Sequence, residues 1–291
     1  MVIGSRGSGR WRIASAAALV LLLAGCASIV GKATSGLGRD LTAGIVNQDD
    51  PQTVAEGLPA YLLLLDGLIQ GDPENAQILL AASRLYGAYS GSFVTEPVRR
   101  ARLARKSLAY ARRAVCIDAK PMCAALDGTH EEFNAALTDV PAQQVELLHT
   151  LGTAWAGAIQ AEAEDLDRIA ELPQVEALFR RIVAQDPDYD SGSGFMYLGV
   201  LSALRPASLG GKPDAARADF EQAIARSGGK NQMARVLYAE YYARLVFDQE
   251  LHDRLLNEAI AADPVAPNLT LINVIAQQRA RELLESGKDY F

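Results

Sequence analysis

Histidine and cysteine are scarce, three of each among 291 residues. That scarcity argues against a zinc-rich or disulfide-stapled scaffold, and neither a metal nor another cofactor is expected. Positive charge is not in excess either. Lys+Arg 28 against Asp+Glu 35 gives a net charge of −7. A non-specific nucleic-acid binder needs a cationic face, so no nucleic-acid partner is expected. Aromatic residues are only 7% of the chain, while Ala and Leu abound, which favours helix over strand. Strict period-2 alternation is missing from Val54 onward, so a half-buried sheet has no signal. What is present is a hydrophobic fraction of 49% with 22% charged residues, enough to bury a real core.

The first residues read as an address. Arg6, Arg10 and Arg12 precede an unbroken apolar or small run from Ile13 to Ala24, with no acid among them. The run fits the apolar centre of a signal peptide and falls short of the roughly 20 residues a spanning helix needs. It ends in Leu23-Ala24-Gly25-Cys26, which resembles the bacterial lipobox. In that motif small residues before the Cys fit a peptidase pocket and the thiol takes a diacylglyceryl group. The competing reading is an uncleaved anchor helix. Cleavage before Cys26 removes three arginines and no acid, leaving a more acidic chain. Each buried lipid CH₂ contributes about 0.8 kcal/mol, so two or three acyl chains anchor the protein durably. No Asp stands next to Cys26, which Ala27 and Ser28 follow, so the resemblance to bacterial lipoproteins favours the periplasmic face of the outer membrane over inner-membrane retention. Residues 1–25 are thus expected to be a signal peptide, and 26–52, rich in Gly, Ser, Thr and Ala, a lipidated tether.

Residues 53–291 read as one all-α domain, a stack of helix pairs of tetratricopeptide type. Helical spacing of apolar residues predicts helices over 54–70, 74–92, 96–117, 121–137, 142–170, 174–185, 192–204, 213–227, 231–247, 250–262 and 268–286. Asp72-Pro73, Asp186-Pro187 and Asp263-Pro264 punctuate them. Proline cannot continue a helix and biases the residue before it away from the helical region, so the chain turns back. The breaks near 187, 228 and 264 lie about 36–41 positions apart, close to the tetratricopeptide period. Each pair leaves an apolar face that only a neighbour covers, hence a solenoid or bundle.

Catalytic signals are weak. His130, His149 and His252 are far apart, no H-E-x-x-H occurs, and all three read as surface residues. Gly210-Gly211-Lys212 and Gly228-Gly229-Lys230 lack the spacing of a phosphate loop and read as turns. Asp190-Ser191-Gly192-Ser193-Gly194 lacks the spacing and preceding strand of a nucleophile elbow. Cys116 and Cys123 flank a turn; in an oxidising compartment they form either a disulfide or two small buried side chains. The aromatic residues Tyr86, Tyr89, Trp155, Tyr197, Tyr238, Tyr241 and Tyr242 are the better lead. They stand on second helices of pairs or on the long central helix, so they either pack the core or line a concave ligand or partner surface. Asn273, beside the apolar stripe of the last helix, joins that set, or is a satisfied buried amide between two helices. The basic helix 96–117 reads as a solvated face, with an acidic partner as the other reading.

Several segments together carry a family resemblance. They are DPENAQILLAASRLYGAYSGSF (72–93), LGTAWAGAI (151–159), LPQVEALFRRIVAQDPDYDSG (172–192), SLGGKPDAARADFEQAIARSGGKNQMARVLYAEYYA (208–243) and NVIAQQRARELL (273–284). In this order, behind a lipobox, the chain resembles the TatT family, the tetratricopeptide-like lipoproteins of TRAP (tripartite ATP-independent periplasmic) transporters. The segment 121–140 is compressed relative to that pattern. The resemblance implies an all-helical lipoprotein that docks the periplasmic solute-binding protein of a TRAP system, self-associates, with a trimer as the expected state, and passes an organic or apolar ligand. It implies no enzyme. From the residues alone the reading is a lipid-anchored helical-repeat binding module, and two other roles stand beside it: a general scaffold lipoprotein of envelope assembly, and a periplasmic enzyme with titratable groups converging in one pocket.

Overall fold

Short acceptor side chains and prolines set where the helices begin. The structure, a computed structural model, describes residues 42–291 apart from Pro206 and the side chain of Leu209. The expected signal peptide, Cys26 and most of the tether lie outside the described residues. Residues Gln48–Phe291 form one compact unit. Helix α1 is Pro51–Gly71, capped by Asp50, whose carboxylate accepts from the Gln52 amide. Helix α2, Ala76–Phe93, is capped by Asn75, and α3, Pro97–Asp118, by Glu96. Helix α4 is Lys120–Ala125 and α5 is His130–Thr138; α5 opens on a reciprocal capping box between Thr129 and Glu132. Then come α6 (Val145–Ala161), α7 (Leu166–Ile169), α8 (Leu172–Gln185), α9 (Ser193–Ala203) and α10 (Pro213–Arg226). The last three are α11 (Gln232–Leu237), α12 (Gln249–Ala261) and α13 (Thr270–Tyr290). No strand occurs among the described residues. The all-α, helix-paired class is therefore the observed one: α2 packs on α3, α9 on α10 and α12 on α13.

Two hydrophobic clusters hold the unit together. The first gathers Leu79, Leu108, Met122, Phe133, Leu148, Leu151, Trp155, Leu178 and Phe179. The second gathers Phe220, Val236, Tyr238, Leu255, Leu256, Ala276 and Leu283. Helix α9 serves both, sending Leu198 into the first and Ala203 into the second. Its two glycines allow this. A Cβ on Gly199 would stand 2.9 Å from the Phe220 ring, and one on Gly194 would stand 2.8 Å from Val183.

Helix α1 is held by its one inward acid. Asp66 accepts hydrogen bonds from Tyr86 Oη (2.8 Å), Tyr110 Oη (2.7 Å) and Lys106 Nζ (2.5 Å). Burial alone would favour the neutral acid, but these three donors outweigh it and hold the carboxyl below its ordinary range. The rotation of α1 about its axis is thereby set, and its opposite face points outward.

Three helix boundaries differ from expectation. The span 121–137 is two helices, because Gly128 and the capping box at Thr129 restart the chain. The span 142–170 stops at Ala161 and resumes at Leu166. Glu162, Glu164 and Asp165 there oppose the negative end of the helix dipole, and Asp165 caps the new turn. The span 231–247 is interrupted by a π-helical segment, Tyr238–Ala243.

Candidate functional site

The π-helical segment lies on the floor of a surface groove of about 500 Å³ between α10, α11 and α12. A π turn widens the helix by one residue and is frequent at functional sites. Tyr238 and Tyr242 form the floor with Ile224, Leu251 and Leu255. Phe220 stacks beneath Tyr238, centroids 5.1 Å apart, and Tyr242 lies 5.3 Å from Tyr238. The rim is charged. Arg217 Nε meets Glu221 Oε1 at 2.9 Å; Arg235 and Arg254 both reach Glu258, at 3.3 and 3.4 Å. The Tyr238 hydroxyl donates to Glu221 Oε1 at 3.4 Å. Burial and the nearby Glu221 push the Tyr238 phenol up to about 12, so it stays protonated and a donor. An aromatic floor ringed by mutually paired charges suits a polypeptide or other amphipathic partner.

The other residues singled out from sequence are dispersed. Tyr241, on the π segment with Tyr238 and Tyr242, packs against the second cluster; burial first, then Glu240, raises its phenol, with Arg279 and Gln160 opposing. Tyr86 is buried in the Asp66 clamp, and Tyr89 is buried with its hydroxyl accepting from Arg99 at 3.3 Å. Trp155 is buried in the first cluster, its Nε1 donating to Glu171 at 2.6 Å and its ring edge-on to Phe133. Tyr197 stacks on Phe179 at 4.3 Å. Asn273 is fully buried: Oδ1 accepts from the Gln232 amide and Nδ2 donates to Lys230 and Pro264 carbonyls, tying α11 to α13. Thus only Tyr238 and Tyr242 of the set share the groove. Cys116 and Cys123 are disulfide-bonded across the α3–α4 corner, Cα atoms 4.6 Å apart.

Two histidines lie inside rather than on the surface. His252 is fully buried, Nδ1 bonded to Asp253 at 2.8 Å and the ring against Phe291. His149 sits between α6 and α9, its Nε2 2.8 Å from Ser193 Oγ and 3.6 Å from Asp190. Asp190 and Ser191 precede that serine with φ of 47° and 57°, left-handed values uncommon outside glycine. Ser, His and Asp therefore meet, but serine and carboxylate approach the same ring nitrogen. A Ser–His–Asp triad needs the acid on the other nitrogen, so this is not its geometry. Burial lowers the His149 pKa against the pull of Asp190, keeping the ring neutral at pH 7. The imidazole thus reads as a junction between α6 and the strained turn. His130 is exposed, as expected. Among the described residues no group of His, Cys, Asp and Glu could hold a metal ion.

Sequence reasoning missed the groove rim. Arg217/Glu221 and Arg254/Glu258 are i,i+4 pairs that read as solvated helix faces. Nothing in their spacing shows that two such faces border one depression.

A family model described as the TRAP transporter T-component matches residues 47–291. An uncharacterized protein of Treponema pallidum (strain Nichols) is 23% identical over 270 residues, covering 87% of this chain and 84% of that one.

Proposed function

We propose, from the premise that this chain belongs to the TRAP transporter T-component family, that it is the periplasmic docking partner of the system's solute-binding protein. Family membership makes it an accessory of TRAP transport, and no helix among the described residues is long and apolar enough to cross a membrane. On our reading Cys26 carries the acyl chains that hold it at the periplasmic face of the outer membrane, and the residues between Cys26 and α1, which opens at Pro51 within the expected 26–52 tether, join it to the helical unit. The solute-binding protein docks on the groove of α10–α12, and an organic or apolar solute is handed on. Self-association, with a trimer expected, completes the reading.

The observation that carries this is the groove, with its tyrosine floor on the π-helical segment and its paired-charge rim, on a chain that matches the family over residues 47–291. Tyr238 and Tyr242 underlie the groove while packing in the second cluster, the rest of the aromatic set packs away from it, and on the rim Arg217 pairs with Glu221 and Arg235 and Arg254 with Glu258. Immobilised protein should capture the solute-binding protein of its own TRAP system. The rim variants Arg254→Glu and Arg217→Glu should weaken capture at least tenfold while leaving the circular dichroism unchanged. Undiminished capture by both variants would move the docking surface elsewhere; no capture by the parent protein would remove the docking role.

A further inference from the structure

Helix α1 turns its acid inward and its leucines outward. On the exposed face Leu63 is 71%, Leu64 55% and Leu68 45% solvent-accessible. Ala60, Gly67 and Gly71 are exposed beside them. At 1.5 Å per residue the apolar face runs about 17 Å, from Ala60 to Gly71. It carries no charge; the exposed polar residues Gln52, Thr53 and Glu56 lie in the first turns, and Gln70 is the one exposed polar residue at its far end. The clamp on Asp66 fixes the rotation of α1, so this outward placement of the leucines is specified by the fold.

We infer that this face of α1 rests on a lipid bilayer, seating the helical unit flat against the membrane that carries its anchor. The inference rests on the acylation of Cys26 proposed above. Three observations favour lipid over a protein partner. Protein interfaces are enriched in aromatic residues and Arg and rimmed by hydrogen-bonding groups, whereas this face offers Leu, Ala and Gly with the neutral Gln70 at one end. A featureless apolar face matches a featureless apolar solvent. The helix also begins 25 positions after Cys26 and is the first long helix among the described residues, so the anchor delivers it to the surface. Helix α1 contains no Lys or Arg, so the contact is apolar and independent of anionic lipid.

The test uses the acylated full-length protein in liposomes of phosphatidylcholine and phosphatidylethanolamine. Leu64→Cys provides a single free thiol, since Cys26 is acylated and Cys116 is bonded to Cys123. It is labelled with an environment-sensitive fluorophore, and Asp214→Cys on α10 serves as the reference site. The expected result is a blue-shifted emission at position 64 alone, most of it lost when the lipid carries a nitroxide on its acyl chain. An aqueous spectrum at position 64 in protein that floats with the liposomes overturns this inference and leaves the anchor standing. A blue shift that lipid nitroxide does not quench shows a protein surface covering the face, and overturns it equally. Failure to float removes the anchor and this inference together.

Discussion

Two glycine-to-alanine substitutions should move stability in opposite directions. Within a helix, alanine in place of glycine is worth about 1 kcal/mol through reduced backbone freedom. At Gly67 on α1 nothing lies within 4 Å of an added Cβ, so Gly67→Ala should deliver most of that gain. At Gly199 on α9 the new Cβ would stand 2.9 Å from Cγ and Cδ2 of Phe220. These atoms are at the root of the ring, and the ring is fully buried and stacked on Tyr238, so it cannot swing aside. Overpacking costs about 1–3 kcal/mol, and a clash at the root of a locked ring belongs in the upper part of that range, about 2–3 kcal/mol, which exceeds the helical gain. Gly199→Ala should therefore lose about 1–2 kcal/mol net. At about 2–4 °C per kcal/mol for a chain of this size, the thermal midpoint should fall by roughly 3–6 °C, while that of Gly67→Ala rises by about 2 °C. Urea and thermal unfolding followed by circular dichroism read both. Adding Phe220→Leu to Gly199→Ala should recover part of the loss, because the clash is with that ring. A Gly199→Ala midpoint at or above the parent's would refute the packing argument.

The Asp66 clamp joins α1 to α2 and α3, so Asp66→Ala should cost about 2–3 kcal/mol, discounted for partial exposure; Lys106→Met in the same chain should restore part, measured as a double-mutant cycle in urea. Asp219 on α10 is pushed up to about 6, chiefly by burial, with Arg180 opposing and Glu176 adding. Its folded pKa lies above the unfolded value of 3.8, so the folded state retains a proton the unfolded chain has lost. Its contribution to stability is thus full below about pH 4 and is lost as pH rises through about 6. Asp219→Asn should flatten that slope and gain about 1 kcal/mol at pH 7; an unchanged pH profile would show that the carboxyl is solvated. Replacing Cys116 and Cys123 by serine opens a loop of sequence separation 7 and should cost about 2–3 kcal/mol, absent when parent and variant are compared under full reduction.

The helices were legible because apolar spacing and Asp-Pro breaks are local signals, and the caps at Asn75 and Asp248 sit where the chain turns. The π segment was not: Tyr238, Tyr241 and Tyr242 keep a plausible helical spacing whether the turn holds 3.6 residues or more. The placement of the aromatics was half legible. A tyrosine packs or faces outward depending on its hydroxyl's partner, and Asp66, 20 positions before Tyr86, is not a neighbour that periodicity can find. His149 and His252 were misplaced for the same reason, since Ser193 and Phe291, which receive them, are 44 and 39 positions away.

The π segment also has an arithmetic consequence. A π turn is an α-helix carrying one surplus amino acid, and each position of an α-helix turns by about 100°. The surplus is absorbed by the wider turns, so excising Ala239 would restore a plain α-helix with the flanking stretches in unchanged register. Tyr238 and Tyr242 would then stand three positions apart instead of four. A single codon's length thus sets how far apart the two rings beneath the depression are held.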